Sequence, residues 1–407
     1  MKVLLSAYAC EPGKGSEPGV GWNWARALIK RGYSVHVLTR SNNQASIDAA
    51  VAAEKLPLTV SYYDLPAWAR RCKHWPGGIY FYYLFWQIGA FRLAGRLHSV
   101  ERFDRVQHST FASFRQPSFM GGLGIPFIFG PVGGGEQMPR AFRAGVPRSG
   151  RLAETLRDLG NAFAAYDPML LYTFSRAALI ACTTRDTLAR IPQRFHSKCV
   201  VLPAIGIDES DIQATSVTTE LEPRFLFIGR LLYWKGIHLA LRALAQASAS
   251  VPDVRMKIIG KGGEGEWLKT VAEQVGVTDR VEWLPGIPHD EILREYRNNL
   301  AFLFPSLHDS GGMVVLEALA SGLPVVCLKL GGPGALVTPA CGVLIEAAEQ
   351  DEAAVIASLA NAMILLATDS AYRASLAANT RARARELTWD RAAEIIHCSP
   401  LLGPGSC

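Results

Sequence analysis

The sequence has no C-x-x-C pair. Its eight cysteines, at 10, 72, 182, 199, 327, 341, 398 and 407, stand far apart and without histidines at metal-ligand spacing. A zinc site and a redox dithiol therefore drop out, and the cysteines read as reduced, mostly buried thiols. There is no basic block interleaved with stacking aromatics, and the formal net charge of +6 is spread through both halves, so no nucleic acid is expected as a partner. That mild excess fits ordinary solubility, anionic substrates or an anionic membrane surface. No apolar run reaches the length of a bilayer span. The apolar part of the opening MKVLLSAYAC is too short for a leader before Glu11, Pro12 and Gly13, so the expected location is cytoplasmic, with the inner membrane face as its one extension. Charged residues make up 19% against 49% hydrophobic, the reverse of a disordered composition. At 407 residues the chain exceeds one ordinary core, which predicts two domains with a cleft between them.

What is present is an alternation of short apolar strands with helices. A strand over 3–7, a glycine-rich loop over 13–21, a helix over 22–30 and a strand over 33–39 make a βαβ opening. Apolar runs at 105–107, 127–129, 179–182 and 199–202 continue an open parallel sheet. Residues 203–208 break the pattern and a polar stretch follows over 209–222, which places the boundary between domains 1–205 and 206–387. The second half restarts with strands at 225–228, 255–259, 281–284 and 325–328, and helices at 236–250 and 265–275. It reads as a second doubly wound α/β unit. Residues 351–387 are helical and 389–397 form a last amphipathic helix. Nothing repeats at solenoid or propeller length.

The stretch FPSLHDSGGMVVLEALASGLPVV at 304–326 carries the most chemistry. Asp309 and Ser310 suit a helix N-cap, Gly311 and Gly312 remove side chains, and a helix follows over 313–321. Its first amides suit phosphate or sugar oxygens, while Asp309 and Glu317, eight positions apart, add carboxylates for hydroxyls. Arg230 directly follows a strand and Lys235 precedes a helix, so both cations reach the end of a sheet where a leaving diphosphate would sit. The bland alternatives are two solvated cations, a capping Asp309 and a surface Glu317. Gly260 lies in a turn without G-x-G-x-x-G spacing, and His108 follows a strand, as a structural histidine also would.

Taken together, GRLLYWKG at 229–236, IGKGGE at 259–264, VEWLPGIPHDEI at 281–292 and the acidic-x7-acidic stretch resemble the GT-B glycosyltransferases of family 4, retaining enzymes that use nucleotide sugars. The resemblance implies two Rossmann-like doubly wound domains facing a central cleft, with a final helix at about 388–398 returning to the first. It gives Arg230 and Lys235 the leaving diphosphate. Asp309 takes the donor hexose hydroxyls, where the family usually has the longer Glu, and Glu317 the ribose. Gly19, Gly260, Gly286, Ser310, Gly311, Gly312, Met313 and Val314 fall at donor-binding positions, and His108 lies near the donor sugar. GPVGGGE at 130–136 puts Gly133, Gly134 and Glu136 on the acceptor side. No metal and no cofactor are implied; the co-substrate is a UDP- or GDP-sugar. The acceptor is a sugar or a lipid-linked or polysaccharide precursor of the cell surface. The tail SPLLGPGSC has no counterpart in the family.

Two rivals remain at this point. A catalytically inactive sugar-nucleotide-binding protein would follow from the shorter Asp309, and a nicotinamide oxidoreductase lacks its fingerprint. Between 66 and 105 the aromatics Trp68, Trp75, Tyr80, Phe81, Tyr82, Tyr83, Phe85 and Trp86 are flanked by Arg70, Arg71, Lys73, Arg92 and Arg96. They fit peripheral membrane contact or core packing.

Overall fold

The computed structural model of the chain describes residues 1–75, 77–111, 113–212 and 222–403. Most of the polar stretch expected at 209–222 and the last four residues of the tail lie outside them. The described residues form two compact units, one of residues 1–135, 159–205 and 389–407 and one of residues 136–158 and 206–388.

In the first unit β1 (Lys2–Ser6), β2 (Ser34–Thr39), β3 (Leu58–Tyr62), β4 (Arg105–His108), β5 (Phe127–Val132), β6 (Leu179–Cys182) and β7 (Cys199–Val201) form one sheet in the order β3-β2-β1-β4-β5-β6-β7. All neighbours are parallel. Strands covered on both faces need continuous apolar runs, as in Val3, Leu4 and Leu5 or Phe127, Ile128 and Phe129, all fully buried. Each side chain of that size contributes about 1.5–3 kcal/mol by leaving water. The order reverses between β1 and β4, which pair Ser6 with His108 at their carboxyl ends. The last helix, Trp389–His397, is part of this unit: Trp389 packs edge-on against Trp24, and Arg105 donates to the His397 carbonyl at 2.7 Å.

One expected loop is helix instead. Residues 16–21 begin the helix Ser16–Lys30, because Pro18 is tolerated in a first turn. Gly19 serves the close approach of the chain to itself, since a Cβ there would lie 1.9 Å from the Lys14 carbonyl oxygen.

The second unit places β8 (Arg224–Ile228), β9 (Arg255–Ile259), β10 (Val281–Leu284), β11 (Ala301–Phe304), β12 (Val325–Leu328) and β13 (Gly342–Ile345) in the order β10-β9-β8-β11-β12-β13, again all parallel. Here the order reverses between β8 and β11. In open α/β sheets that reversal opens a crevice beyond the strand ends, where ligands bind. The Arg230–Lys235 loop leaves β8 and the Asp309 turn leaves β11, so the topology delivers both to one crevice. The helices Ile237–Ala247 and Glu352–Thr368 pack on each other, and their Leu241, Leu244, Leu359 and Met363 are buried.

Residues 136–158 fold with the second unit although they precede the expected boundary. The reason is polar: two of their carboxylates bond to the Asp309 turn, as described below. Among the described residues six cysteines form no disulfide, whereas Cys398 is disulfide-bonded, a departure from the all-thiol expectation, which rested on the absence of C-x-x-C pairs and of histidines at metal-ligand spacing. Among the described residues no single helix is long and apolar enough to cross a membrane. The apolar pair Glu352–Thr368 and Ser370–Arg385 is bent by 98°.

Candidate functional site

The two loops at the second switch point meet in an ion pair between Lys235 Nζ and Asp309 Oδ2. Lys235 ends a short turn, and Gly236, at φ +70°, redirects the chain into Ile237–Ala247. A Cβ at Gly236 would lie 1.9 Å from the Pro305 carbonyl oxygen, so glycine is what lets the loops approach. The ammonium also lies 4.9 Å over the Phe304 ring, a cation–π contact. The two side chains are 15% and 19% exposed, enough for a ligand to reach them.

Asp309 and Ser310 do not cap the following helix. Its N-cap is Gly312, at φ +92°, with no side-chain cap bond. Asp309 turns to Lys235 and accepts the Gly311 amide on Oδ1 at 3.3 Å, because a charge-assisted bond across two loops outweighs a neutral cap. Met313 and Val314 open the helix Met313–Ala320, half-buried, with the N–H groups that a first turn leaves without intrahelical partners.

Both neighbours of Asp309 are held by the segment 136–158. Ser310 Oγ donates to Glu136 Oε2 at 2.5 Å, and His308 Nε2 lies 2.8 Å from Glu154 Oε1. The same Glu154 oxygen accepts from Tyr233 OH at 2.9 Å. Both glutamates are 1% exposed. Burial pushes the Glu154 carboxyl up, but the bonds from His308 and Tyr233 and the charge of Arg157 bring it below its ordinary value. It is therefore ionised and acceptor-only, which puts a proton on His308 Nε2. Burial beside this carboxylate raises the Tyr233 hydroxyl. Trp234 stacks on His308 at 5.5 Å and 15°, closing the set.

Glu317 sits one helix turn further on and accepts from Tyr296 OH at 3.0 Å. Burial raises its carboxyl, against the opposing effects of that bond and of His289. Arg230 is exposed on the β8 loop. Among the described residues no hydrogen bond or ion pair joins Arg230 or Glu317 to the Lys235–Asp309 pair. Gly260 closes β9, its amide on the Leu284 carbonyl at 3.0 Å, and Gly286 is exposed after β10.

In the first unit, His108 ends β4 and is buried, its Nε2 3.4 Å from Tyr83 OH and its Nδ1 without a protein partner. Burial lowers its pKa to about 4, so it is neutral at pH 7. Around it Ser6 Oγ, Tyr8 OH, Gln87 Oε1 and Ser109 Oγ are likewise buried without protein partners. Gly133 and Gly134 follow β5, where the Gly133 carbonyl takes the Phe114 amide at 2.9 Å. Glu136 does not join them, since its carboxylate is on Ser310.

Sequence reasoning passed over Tyr233, Glu154, His308 and Tyr296. Tyr233 and His308 stood inside the quoted motifs. Glu154 and Tyr296 had no local signal, because their partners are distant in sequence. Among the described residues, no group of three or more His, Cys, Asp or Glu able to hold a metal ion occurs.

Residues 208–383 match the family described as Glycosyl transferases group 1. The D-inositol 3-phosphate glycosyltransferase of Corynebacterium diphtheriae is 33% identical over 228 residues, covering 52% of each chain. The chain thus spans about half the length of this curated relative. Among solved structures, the sucrose-phosphate synthase of Thermosynechococcus elongatus superposes with a TM-score of 0.67 at 18% identity, covering 96% of each chain. HepE of Anabaena, solved with UDP and glucose, gives 0.60 at 17% identity, covering 98% of this chain and 100% of its own. Likeness at that identity speaks for the fold. Residues 208–383 are thus similar to the glycosyl transferases group 1, and the two doubly wound sheets share the GT-B fold of the solved structures.

Proposed function

We propose that this chain is a retaining hexosyltransferase that moves a sugar from a UDP- or GDP-sugar to a lipid-linked or polysaccharide acceptor. The observation that carries the reading is the Lys235–Asp309 pair at the switch point of the second sheet, directly before the helix Met313–Ala320. Asp309 takes the hexose hydroxyls, Glu317 the ribose, and Lys235 with Arg230 the diphosphate. Gly260, Gly286 and the Ser310 to Val314 backbone approach the donor. In the first unit, His108 and Gly19 are proposed as donor-side residues and Gly133 and Gly134 as acceptor-side ones. UDP is the favoured nucleotide, since the likeness to HepE, solved with UDP and glucose, extends over nearly the whole chain.

In the reaction the bond from the anomeric carbon to the donor phosphate oxygen breaks and one to the acceptor oxygen forms on the same face. The acceptor proton passes to a donor phosphate oxygen. The leaving diphosphate gains charge as the bond breaks, and fixed cations lower that barrier without moving. No cofactor or metal takes part in this scheme.

The acceptor site is proposed to work at an anionic membrane, on the inner face. Residues 65–100 contain no Asp or Glu but do contain Arg70, Arg71, Lys73, Arg92 and Arg96. Tyr82, Tyr83 and Trp86 of the helix Gly78–Glu101 are buried in the core, whereas Trp68, Trp75, Phe81 and Phe85 are more than half exposed. Exposed aromatics among these cations suit a negatively charged interface. Replacing Arg70, Arg71 and Lys73 should abolish flotation with phosphatidylglycerol vesicles; equal flotation rejects the contact.

The function is tested by incubating the protein with a panel of UDP- and GDP-sugars and reading thermal stabilisation together with nucleotide release. Release from one donor, quickened by acceptor, is the expected result. Stabilisation without release would instead establish the binding protein that the shorter Asp309 leaves open.

A further inference from the structure

We infer that Glu136 and Glu154 are positioning residues that clamp the Asp309 turn from both sides, so that the 136–158 segment of the second unit, remote from the turn in sequence, sets the geometry of its donor site. The inference rests on Asp309 and Lys235 holding the donor. It deepens that reading by assigning a role to two carboxylates outside the donor motifs.

Three consecutive residues of the turn each have a different charged partner. His308 meets Glu154, Asp309 meets Lys235, and Ser310 meets Glu136. The outer two partners come from one segment, which is itself pinned: Arg157 donates to the Glu136 carbonyl from Nε at 3.2 Å and from Nη2 at 3.0 Å. Burying a carboxylate is costly unless it is well bonded, so two glutamates at 1% exposure mark a place where the fold accepts that cost for geometry. A plain structural anchor would not need to be charged or to straddle the residue that takes the sugar.

The clamp also answers a difficulty in the motif. Asp309 is one methylene shorter than the usual Glu, so its carboxylate reaches the hexose only where the backbone is held at the right distance. Bonds on both adjacent side chains fix that backbone. Lys235 is placed by the same network, since Tyr233, two residues earlier, shares the Glu154 oxygen with His308.

Hydrogen exchange over residues 305–314 tests the clamp without any substrate. Glu136→Ala should raise exchange in this turn at least tenfold while the rest of the second unit is unchanged. Glu136→Gln, which still accepts from Ser310, should restore protection to within threefold. Unchanged exchange in Glu136→Ala overturns the inference whether or not a donor is ever turned over, so its failure is separable from failure of the function. Glu154→Gln serves as the second probe, since an alanine at that buried site risks unfolding; it should loosen the 305–308 half of the turn. With the donor that the panel identifies, Glu136→Ala should lower kcat/KM at least tenfold with affinity for that donor's nucleotide within twofold. Ser310→Ala should match it, and the double variant should be no worse than either single one. Additive losses would overturn the inference.

Discussion

The first sheet's switch point buries several neutral polar atoms that have no protein partners, whereas in the second each buried carboxylate beside the Asp309 turn has a partner, with Glu154 Oε2 left unbonded. Around His108 the hydroxyls of Ser6, Tyr8 and Ser109 and the Gln87 carbonyl lack protein bonds. Around Asp309, by contrast, Lys235, Glu154 and Glu136 each engage a partner in the turn. A buried polar atom left without a bond costs about 1–3 kcal/mol, and a fold tolerates a cluster of them where water or a ligand completes the set. The difference separates two ways of preparing a site. Under the proposed function, the second unit would carry fixed charge in advance, as stabilising a leaving diphosphate requires, and the first would offer neutral groups that adapt to a sugar. On this view, charge removal is felt in the second unit and hydroxyl removal is cheap in the first.

The largest effect should follow Lys235→Ala. Loss of one preorganised charge opposite a developing one typically costs a hundred- to a thousandfold in turnover, about 3–4 kcal/mol. His108→Gln, which removes a neutral group, should cost less than a tenth of that factor. Thermal melts must first show both variants folded. If the two lose equal turnover, the contrast between the switch points is wrong; if Lys235→Ala loses none, its role as diphosphate partner is gone.

How much of this was legible beforehand depends on the range of the contacts. The strands were readable because buried parallel strands must be apolar runs: β9, β10 and β12 fall on the residues that the pattern picked out. The helix from Met313 was readable from the glycines before it, but its cap was not. Nothing local says that Asp309 prefers a lysine 74 positions away to its own helix amides. The start at Ser16 was missed because Pro and Gly were read as loop formers, although a first turn accepts both. Glu154 was unreadable for a stronger reason. It sits in an amphipathic helix like any surface acid, and only the fold brings it to His308, 154 positions on.

Acid should separate the units next. Burial pushes the pKa of His108 down to about 4, and those of His397 and His238 to about 3. Each is neutral when folded, while the unfolded chain titrates near 6.5. The stability each contributes is therefore complete above pH 6.5 and is lost as the pH falls from there towards the folded value. At pH 5 the loss reaches about 2 kcal/mol for each group. His108 and His397 belong to the first unit, where His36 is shifted the same way, and His238 to the second. Proteolysis in urea at pH 7 and pH 5, with the fragments mapped, should show the first unit losing more protection. Equal losses would mean that burial does not govern these histidines.

The smallest effects give the sharpest comparison. Tyr233→Phe removes a hydroxyl that bonds a buried carboxylate, and bonds to charged groups contribute about 1.5–3 kcal/mol. The lower end applies, because Glu154 keeps His308 on the same oxygen. Ser109→Ala removes a hydroxyl of similar burial that bonds no protein group, so nothing is left unpaired and a desolvation cost disappears. Its midpoint in urea should stay within about 0.5 kcal/mol of the parent, or rise. Should Ser109→Ala prove as costly as Tyr233→Phe, the Ser109 hydroxyl has a bound partner in solution, and the contrast between the two switch points fails.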